Sequence, residues 1–472
     1  MIKTKFKLDP KTVKLIFALA WPTMLEQLLH TAVQYIDTAM VGSLGTSATA
    51  AVGATSTVNW LIGTTVSALS IGFLSYIAKS LGAGDTEAAK KASAQASAVV
   101  LVSGVFFTAL ALSLSGVIPT LMRVDPAIRA DASRYFFILY IPMLPRCAST
   151  IFGTVLRSAG DTRSPMKVGL AVNAINVALN FLLIYETREV SLFGKSFTMI
   201  GAGLGITGAA LASAISYAFG GIAITIIVLR HKTVSPIGYS LKPDPSILRP
   251  CMRVSFPNML QRFGTSLGYV AFASMINSLG EIATAAHTIA NTVESAFYIP
   301  GYGMQTAAAT LAGNALGERD EEKLKTLAKM FIPIEIALML LSGAALFISA
   351  PYLVDIFSDS GEVISLGTTV LRMVAVSEPF YGFSIIIEGM MQGVGKTKQP
   401  FVFNIIGMWG VRILGTFLLC SFVYASLITA WGCMIAHNML LFLLFLISYI
   451  KGWWNPFRDT PEIKDKKEVR QV

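Results

Sequence analysis

Residues 43–58 read SLGTSATAAVGATSTV and residues 278–293 read SLGEIATAAHTIANTV, with nine of sixteen positions identical at a constant shift of 235. The same shift carries Pro22 onto Pro257, Met24-Leu25 onto Met259-Leu260 and Leu81-Gly82 onto Leu316-Gly317. It also carries Asp85 onto Asp320, Gly160 onto Gly395 and Pro165 onto Pro400, without a gap. The chain is a tandem duplication, and each half is expected to build the same structure. A membrane-spanning helix needs about 20 mostly apolar residues. Twelve such runs occur: 14–40, 51–79, 92–119, 133–156, 166–185, 201–229, 253–278, 285–314, 328–350, 364–391, 399–422 and 425–450. They lack strand-like alternation, and hydrocarbon admits only helices or closed barrels. The expected fold is an all-α integral membrane protein, with twelve transmembrane helices in two six-helix pseudo-symmetric lobes. Six is even, so both halves face the same way, as a parallel repeat about the membrane normal. Residues 1–230 form the N-lobe, 231–252 a linker loop with Pro236, Pro243, Pro245 and Pro250, 253–451 the C-lobe and 452–472 a tail.

Of the 472 residues, 54% are hydrophobic and 14% charged, against about 25% charged in soluble domains. Together with a mean hydropathy of +0.64, this excludes a soluble enzyme, a disordered chain and a nucleic-acid module. The net charge of +10 is explained by where it lies. With the N-terminus placed in the cytoplasm, 27 of the 37 Lys and Arg fall on inner segments. Five are outer, namely Arg123, Arg129, Arg134, Arg188 and Lys195, and Lys79, Arg146, Arg262, Arg372 and Arg412 lie inside or at the edge of spans. This is the positive-inside pattern, and it puts both termini on the cytoplasmic side of the cell membrane. The basic N-terminus leads into an apolar run too long for a signal peptide, so it reads as the first span. The four cysteines form no CxxC pair and read as small packed hydrophobes. Trp453-Trp454 reads as an interfacial anchor, and Met390 and Met391 as candidates for lining a cavity.

Charged groups within spans cost about 2.5–3.5 kcal/mol each on insertion scales and are functional candidates by default. At about 100° per residue, Glu26, His30, Gln34 and Asp37 share one stripe of span one. A buried carboxyl group there can exchange a proton, or bind Na⁺ when ionised. The alternative is a structural pair with a buried Arg or a hydroxyl. Asn173, Asn176 and Asn180 of span five are either helix–helix glue or oxygen ligands for a cation. His287, Asn291, Glu294 and Tyr298 form a stripe on span eight. Glu378, Tyr381, Glu388 and Gln392 form one on span ten, and Asn258, Gln261, Arg262, Thr265 and Tyr269 one on span seven. These are candidate cavity residues, with Arg262 as a candidate partner for Glu294 or Glu388. The repeat-mates of Glu26, Asp37 and Glu294 are Gln261, Phe272 and Asn59, so the acids are not symmetric and the halves are expected to do different work. Pro22 and Pro257, inside spans one and seven, are matched hinges or static kinks.

The segment Ala20-Trp21-Pro22 through Asp37-Thr38-Ala39-Met40-Val41-Gly42, with Ala50-Ala51-Val52-Gly53 and Leu81-Gly82-Ala83-Gly84-Asp85, resembles the multidrug and toxic compound extrusion (MATE) family. So do Pro300-Gly301-Tyr302-Gly303-Met304 in the second half and the glycine-rich loops Arg157–Thr162 and Gln392–Thr397. The resemblance covers about residues 12–450. It implies an antiporter that exchanges H⁺ or Na⁺ for organic, often cationic, drugs. It also implies a cation site at Asp37, at Asn176 and Asn180, and at Ser213 in the Gly-Ala-Ala run of span six. Some branches carry Asp where Asn180 stands, which leaves one charge fewer here. Many members carry an acid in span seven where this chain has Gln261, so Glu26, Glu294 or Glu388 take over that role.

The expected function is therefore a cation-coupled multidrug or organic-cation antiporter working by alternating access between the lobes. Its expected partners are small amphiphilic cations and the lipid bilayer, with no nucleic acid, and the expected state is a monomer. The coupling sites are Asp37, Asn176, Asn180, Ser213 and Glu26, with Na⁺ possible at Asp37. The substrate cavity is Gln34, His30, Gln261, Asn291, Glu294, Tyr298, Glu378 and Glu388. A flippase for lipid-linked saccharides is the alternative, disfavoured by the acidic cavity. An uncoupled uniporter is disfavoured by the asymmetric acids. HExxH and GxxxxGK[ST] are absent from the sequence, which argues against an enzyme and against ATP coupling. No cofactor is expected beyond the coupling ion.

Overall fold

The computed structural model describes residues 9–121, 124–192 and 195–458. Lys3, Lys5, Lys7, Arg123 and the tail beyond Arg458, part of the charge count above, lie outside them. The described residues form twelve helical rods. The first half holds α1 (Pro10–Gly42), α2 (Thr46–Gly82), α3 (Thr86–Leu114), α4 (Arg129–Tyr140 and Met143–Ser158), α5 (Arg163–Leu183) and α6 (Gly205–Arg230). The second holds α7 (Pro245–Asn277), α8 (Glu281–Phe297 and Ile299–Gly317), α9 (Glu321–Asp355), α10 (Gly361–Ala375 and Glu378–Gly393), α11 (Lys398–Phe422) and α12 (Leu427–Lys451). A short helix, Ile118–Leu121, precedes α4.

The duplication is visible in the helix ends. The starts of α1, α2, α3 and α5 fall on those of α7, α8, α9 and α11 at the shift read from sequence. Asp9-Pro10 and Asp244-Pro245 open the first helix of each half. Each Asp side chain accepts from backbone amides, Lys11 and Thr12 in one case and Ser246 in the other. Proline follows, where its missing N–H is no loss. Hydrogen bonds from the Thr12 and Ser246 side chains hold Asp9 and Asp244 below the usual carboxylate range. Gly160 and Gly395 close the glycine-rich loops at φ of 83° and 81°, a left-handed conformation that a Cβ disfavours.

Three features depart from the expected organisation. Rods α4 and α10 are each bent, by 51° and 52°, at repeat-matched breaks, where 133–156 and 364–391 each read as one apolar run. Pro142 and Pro145, and Pro379, lie at those breaks and lack the backbone N–H that a continuous helix needs. Span six begins at Gly205, not residue 201, because Glu186–Leu192 and Lys195–Ala202 pair as an antiparallel hairpin (β1 and β2) with no counterpart among the described residues of the second half. The helix that follows the linker starts at Pro245, inside the stretch expected as loop. Buried Gln95 of α3 ties that linker down, donating to Lys242 O at 2.8 Å and accepting from Asp244 N at 3.0 Å.

Seven rods are long and apolar enough to cross a membrane on length and composition alone, and nine when each bent pair counts as one span. The three that fall short, α1, α7 and α8, are the carriers of polar stripes in span one, seven and eight. The chain is a multi-pass membrane protein.

By contacts the chain divides into two compact units. The N unit holds 25–73 and 86–248, and the C unit holds 1–24, 74–85 and 249–472. Within the C unit, the ends of α2 and α8 meet through repeat-mate glycines. A Cβ at Gly82 would lie on the Asn314 backbone, and one at Gly317 on the Lys79 carbonyl, its own symmetric counterpart. Gly317→Ala forces backbone apart, and overpacking costs about 1–3 kcal/mol. The expected result is a melting temperature several degrees lower for the purified protein. An unchanged melting curve would show that the contact yields freely.

The C-unit core runs from Ile16 and Leu19 through Met304, Phe331, Met390 and Met391 to Trp454 and Phe457. Met390 and Met391 are thus core residues and line no cavity. Trp454, expected at the membrane interface, is 3% exposed and stacks on Tyr449. Lys396 of the glycine-rich loop holds the segment, donating to Trp453 O at 2.7 Å.

Candidate functional site

In the N unit, α1, α5 and α6 bring Asp37, Asn176, Asn180 and Ser213 together. Asn180 is 1% exposed, and its amide nitrogen donates to Asp37 Oδ1. The carboxamide of Asn176 lies over the same carboxylate. With its nitrogen turned to Asp37 it donates at 2.8 and 3.2 Å, and its oxygen accepts from Ser213 Oγ at 3.3 Å. The i, i+4 spacing of the two asparagines puts both amides on one face of α5. One turn further along, Val41, Ile184 and Ala209 belong to a single buried apolar cluster with Met40 and Ala48. That cluster closes the site on one side and leaves the carboxylate in a low-dielectric surround. Asn180 Oδ1 is buried without a hydrogen-bond partner, an oxygen free to face a cation. One carboxylate, two amide oxygens and a hydroxyl are hard oxygen donors of the kind that suit a small hard cation.

Glu26 is placed outside that cluster. Both its oxygens accept from Arg157 Nη2, at 2.8 and 2.7 Å. Gly153 and Gly169 leave the room for this pairing. A Cβ at Gly169 would stand 3.2 Å from Glu26 Cγ, and one at Gly153 3.3 Å from Arg157 Nη1. His30 and Gln34, further up the same stripe, are exposed. Arg146 donates to Asn59 Oδ1 at 2.6 Å, and Tyr140 donates to the same oxygen at 3.2 Å.

In the C unit, Glu388 accepts from three amides: Gln261 at 2.9 Å, Gln392 at 3.1 Å and Asn404 at 3.2 Å. Among the described residues no ion pair joins Arg262 to Glu388 or Glu294. Glu294 and Glu378 are buried, and Tyr298 packs edge-on against Tyr302, whose hydroxyl meets that of Tyr381 at 3.3 Å. Asn291 is exposed. Pro22 and Pro257 lie inside unbroken helices. Sequence reasoning missed Glu335, which is fully buried with both carboxylate oxygens lacking a partner. A Cβ at Gly301 would reach within 2.8 Å of it. Its signal was a lone acid in the apolar run 328–350.

A duplicated all-helical membrane fold with an oxygen-lined acidic site in one half defines a membrane transport protein. The MatE family model matches residues 22–182 and 257–418, once on each half, and the chain belongs to that family. It is 26% identical over 446 residues to a probable multidrug resistance protein NorM of Thermotoga maritima, covering 94% of each chain. It is 24% identical to a probable multidrug resistance protein YpnP of Bacillus subtilis, covering 89% of each. The fold matches an outward-facing multidrug resistance MATE transporter of the MOP superfamily with a TM-score of 0.86 at 24% identity. That match covers 96% of this chain and 100% of the other.

Proposed function

We propose that the protein is a multidrug efflux antiporter that moves organic cations out of the cell against H⁺ or Na⁺ moving in, by alternating access. The observation that carries this reading is the Asp37 cluster, a carboxylate held by two amides under an apolar cap, with one buried amide oxygen left free. Cation uptake there neutralises a buried charge and changes the relative stability of two conformations. A ligand shifts such an equilibrium only by its differential affinity for the two states, and a half-buried carboxylate held by neutral amides supplies that difference. The acids of the C unit, Glu294, Glu378 and Glu388, with Tyr298, give an organic cation charge and aromatic faces. The basic inner segments support cytoplasmic termini in the cell membrane, and the protein works as a monomer.

The test is efflux of a fluorescent cationic dye from proteoliposomes under an imposed proton gradient and, separately, a sodium gradient. Efflux driven by one gradient and collapsed by the matching ionophore is the expected result. No efflux under either gradient would sink the antiporter reading and put the lipid-linked saccharide flippase ahead.

A further inference from the structure

The duplication allows the Asp37 site to be located in the other half. At the repeat shift, Asp37 becomes Phe272, Asn176 becomes Val411 and Asn180 becomes Gly415. Each of those side-chain oxygen ligands is gone. In their place stands Arg412, next to Val411 and 5% exposed. Its guanidinium carbon lies 5.0 Å from the ring centre of Phe272, the counterpart of Asp37, and 5.1 Å from that of Tyr269. Arg412 lies in a π-helical segment, Ile406–Ile413, whereas its counterpart region in α5 is α-helical throughout. Inserted π turns are frequent at functional sites. Among the described residues Arg412 makes no ion pair, and its Nε has no hydrogen-bond partner. It is therefore not half of a structural salt bridge.

The inversion has a second half. In the N unit the guanidinium of Arg146 sits on Asn59. The repeat-mate of Asn59 is Glu294, a buried carboxylate within the electrostatic reach of Arg412. The other charged or titratable groups that bear on this pair are Glu378 of α10, His287 of α8 and His437 of α12. Where the N unit holds a carboxylate, the C unit holds a guanidinium. Where the N unit sets the neutral amide of Asn59 against the Arg146 guanidinium, the C unit holds the carboxylate of Glu294.

We propose that Arg412 is a tethered cation, fixed in the C unit at the position where the N unit takes an exchangeable one, so that the duplicated chain carries one such ion site and not two. This rests on the reading of Asp37 as the coupling site. A permanent guanidinium within electrostatic reach of Glu294 supplies from within the charge that an ion from solution would otherwise bring. The C unit is then held in the ion-filled condition throughout the cycle, and only the N unit responds to the gradient. Arg412 acts here as a positioning residue.

The test counts cations bound per chain on purified protein, sodium by equilibrium binding of the radioactive ion and protons by uptake on mild acidification. The expected count falls by one in Asp37→Asn and rises by one in Arg412→Gln. Glu294→Gln in the Arg412→Gln background removes the gained cation, and Arg412→Lys, which keeps the tethered charge, matches the parent. Arg412→Gln protein that is folded and binds no more than the parent overturns the proposal. Should Arg412→Gln not fold, Asp37→Asn is compared with Asp37→Asn/Glu294→Gln. Equal counts support the proposal, and a lower count in the second overturns it. If Asp37→Asn removes no cation, the antiporter reading fails at Asp37, while the gain in Arg412→Gln still decides the role of Arg412.

Discussion

Asp37→Asn is expected to abolish gradient-driven efflux while leaving the protein folded. The side chain is isosteric, and its amide can still hydrogen-bond with Asn180 and Asn176, so the melting temperature should stay within a few degrees of the parent. What disappears is the one charged ligand of the cluster. Removing one partner of a buried charge pair costs about 2–5 kcal/mol. At 1.4 kcal/mol per tenfold, this weakens cation binding about thirtyfold or more. For a proton the loss is complete, because an amide does not take one up in this range. Dye transport under the imposed gradient should fall to the leak of empty liposomes, while dye binding to the purified protein persists, because cargo acids lie elsewhere. A variant that pumps at more than half the parent rate would show that the coupling ion enters at another group. Glu335 and Glu378 would then be the first to test, since both are buried with unpartnered oxygens.

How much of this was legible beforehand depends on the kind of signal. The shift of 235 between the halves gave the repeat, and the starts of α1, α2, α3 and α5 obey it to the residue, with the capping Asp-Pro pairs and the positive-φ glycines Gly160 and Gly395 duplicated with it. Asp37, Asn176 and Asn180 stood out by spacing, since residues four apart share a helix face. Ser213 came from the family resemblance, not from periodicity. The bends in α4 and α10 were hidden because hydropathy windows average over three or four residues of broken helix. The hairpin was hidden because it replaces the first turn of an apolar run. Pairings were the least readable. Glu26 and Arg157 are 131 residues apart in sequence, and only the packing of α1 against α4 makes them neighbours. Arg412 was recorded as a charge within a span, but its meaning appears only when Phe272, the mate of Asp37, is found beneath it.

The fate of Glu26 follows from that pairing. Sequence placed it among the coupling residues, but the structure gives both its oxygens to one guanidinium nitrogen, with side chains only 17% and 22% exposed. Arg157→Met keeps the length of the side chain and removes its charge. Breaking a buried pair on one side costs about 3–5 kcal/mol, because the remaining charge is left uncompensated. Some solvent reaches this pair, so the lower end, about 3 kcal/mol, is the expected loss on thermal or denaturant unfolding of the purified protein. Glu26→Gln/Arg157→Met should recover most of that loss, since two neutral side chains leave no orphaned charge. The difference between the double variant and the sum of the singles measures the coupling. The same double variant separates structure from transport. If Glu26 only secures α1 against α4, the double variant pumps dye under the gradient at close to the parent rate. If Glu26 carries the coupling ion, the double variant is as stable as expected and does not pump. Stability regained with transport lost would return Glu26 to the cation site beside Asp37 and require Arg157 to release it during the cycle.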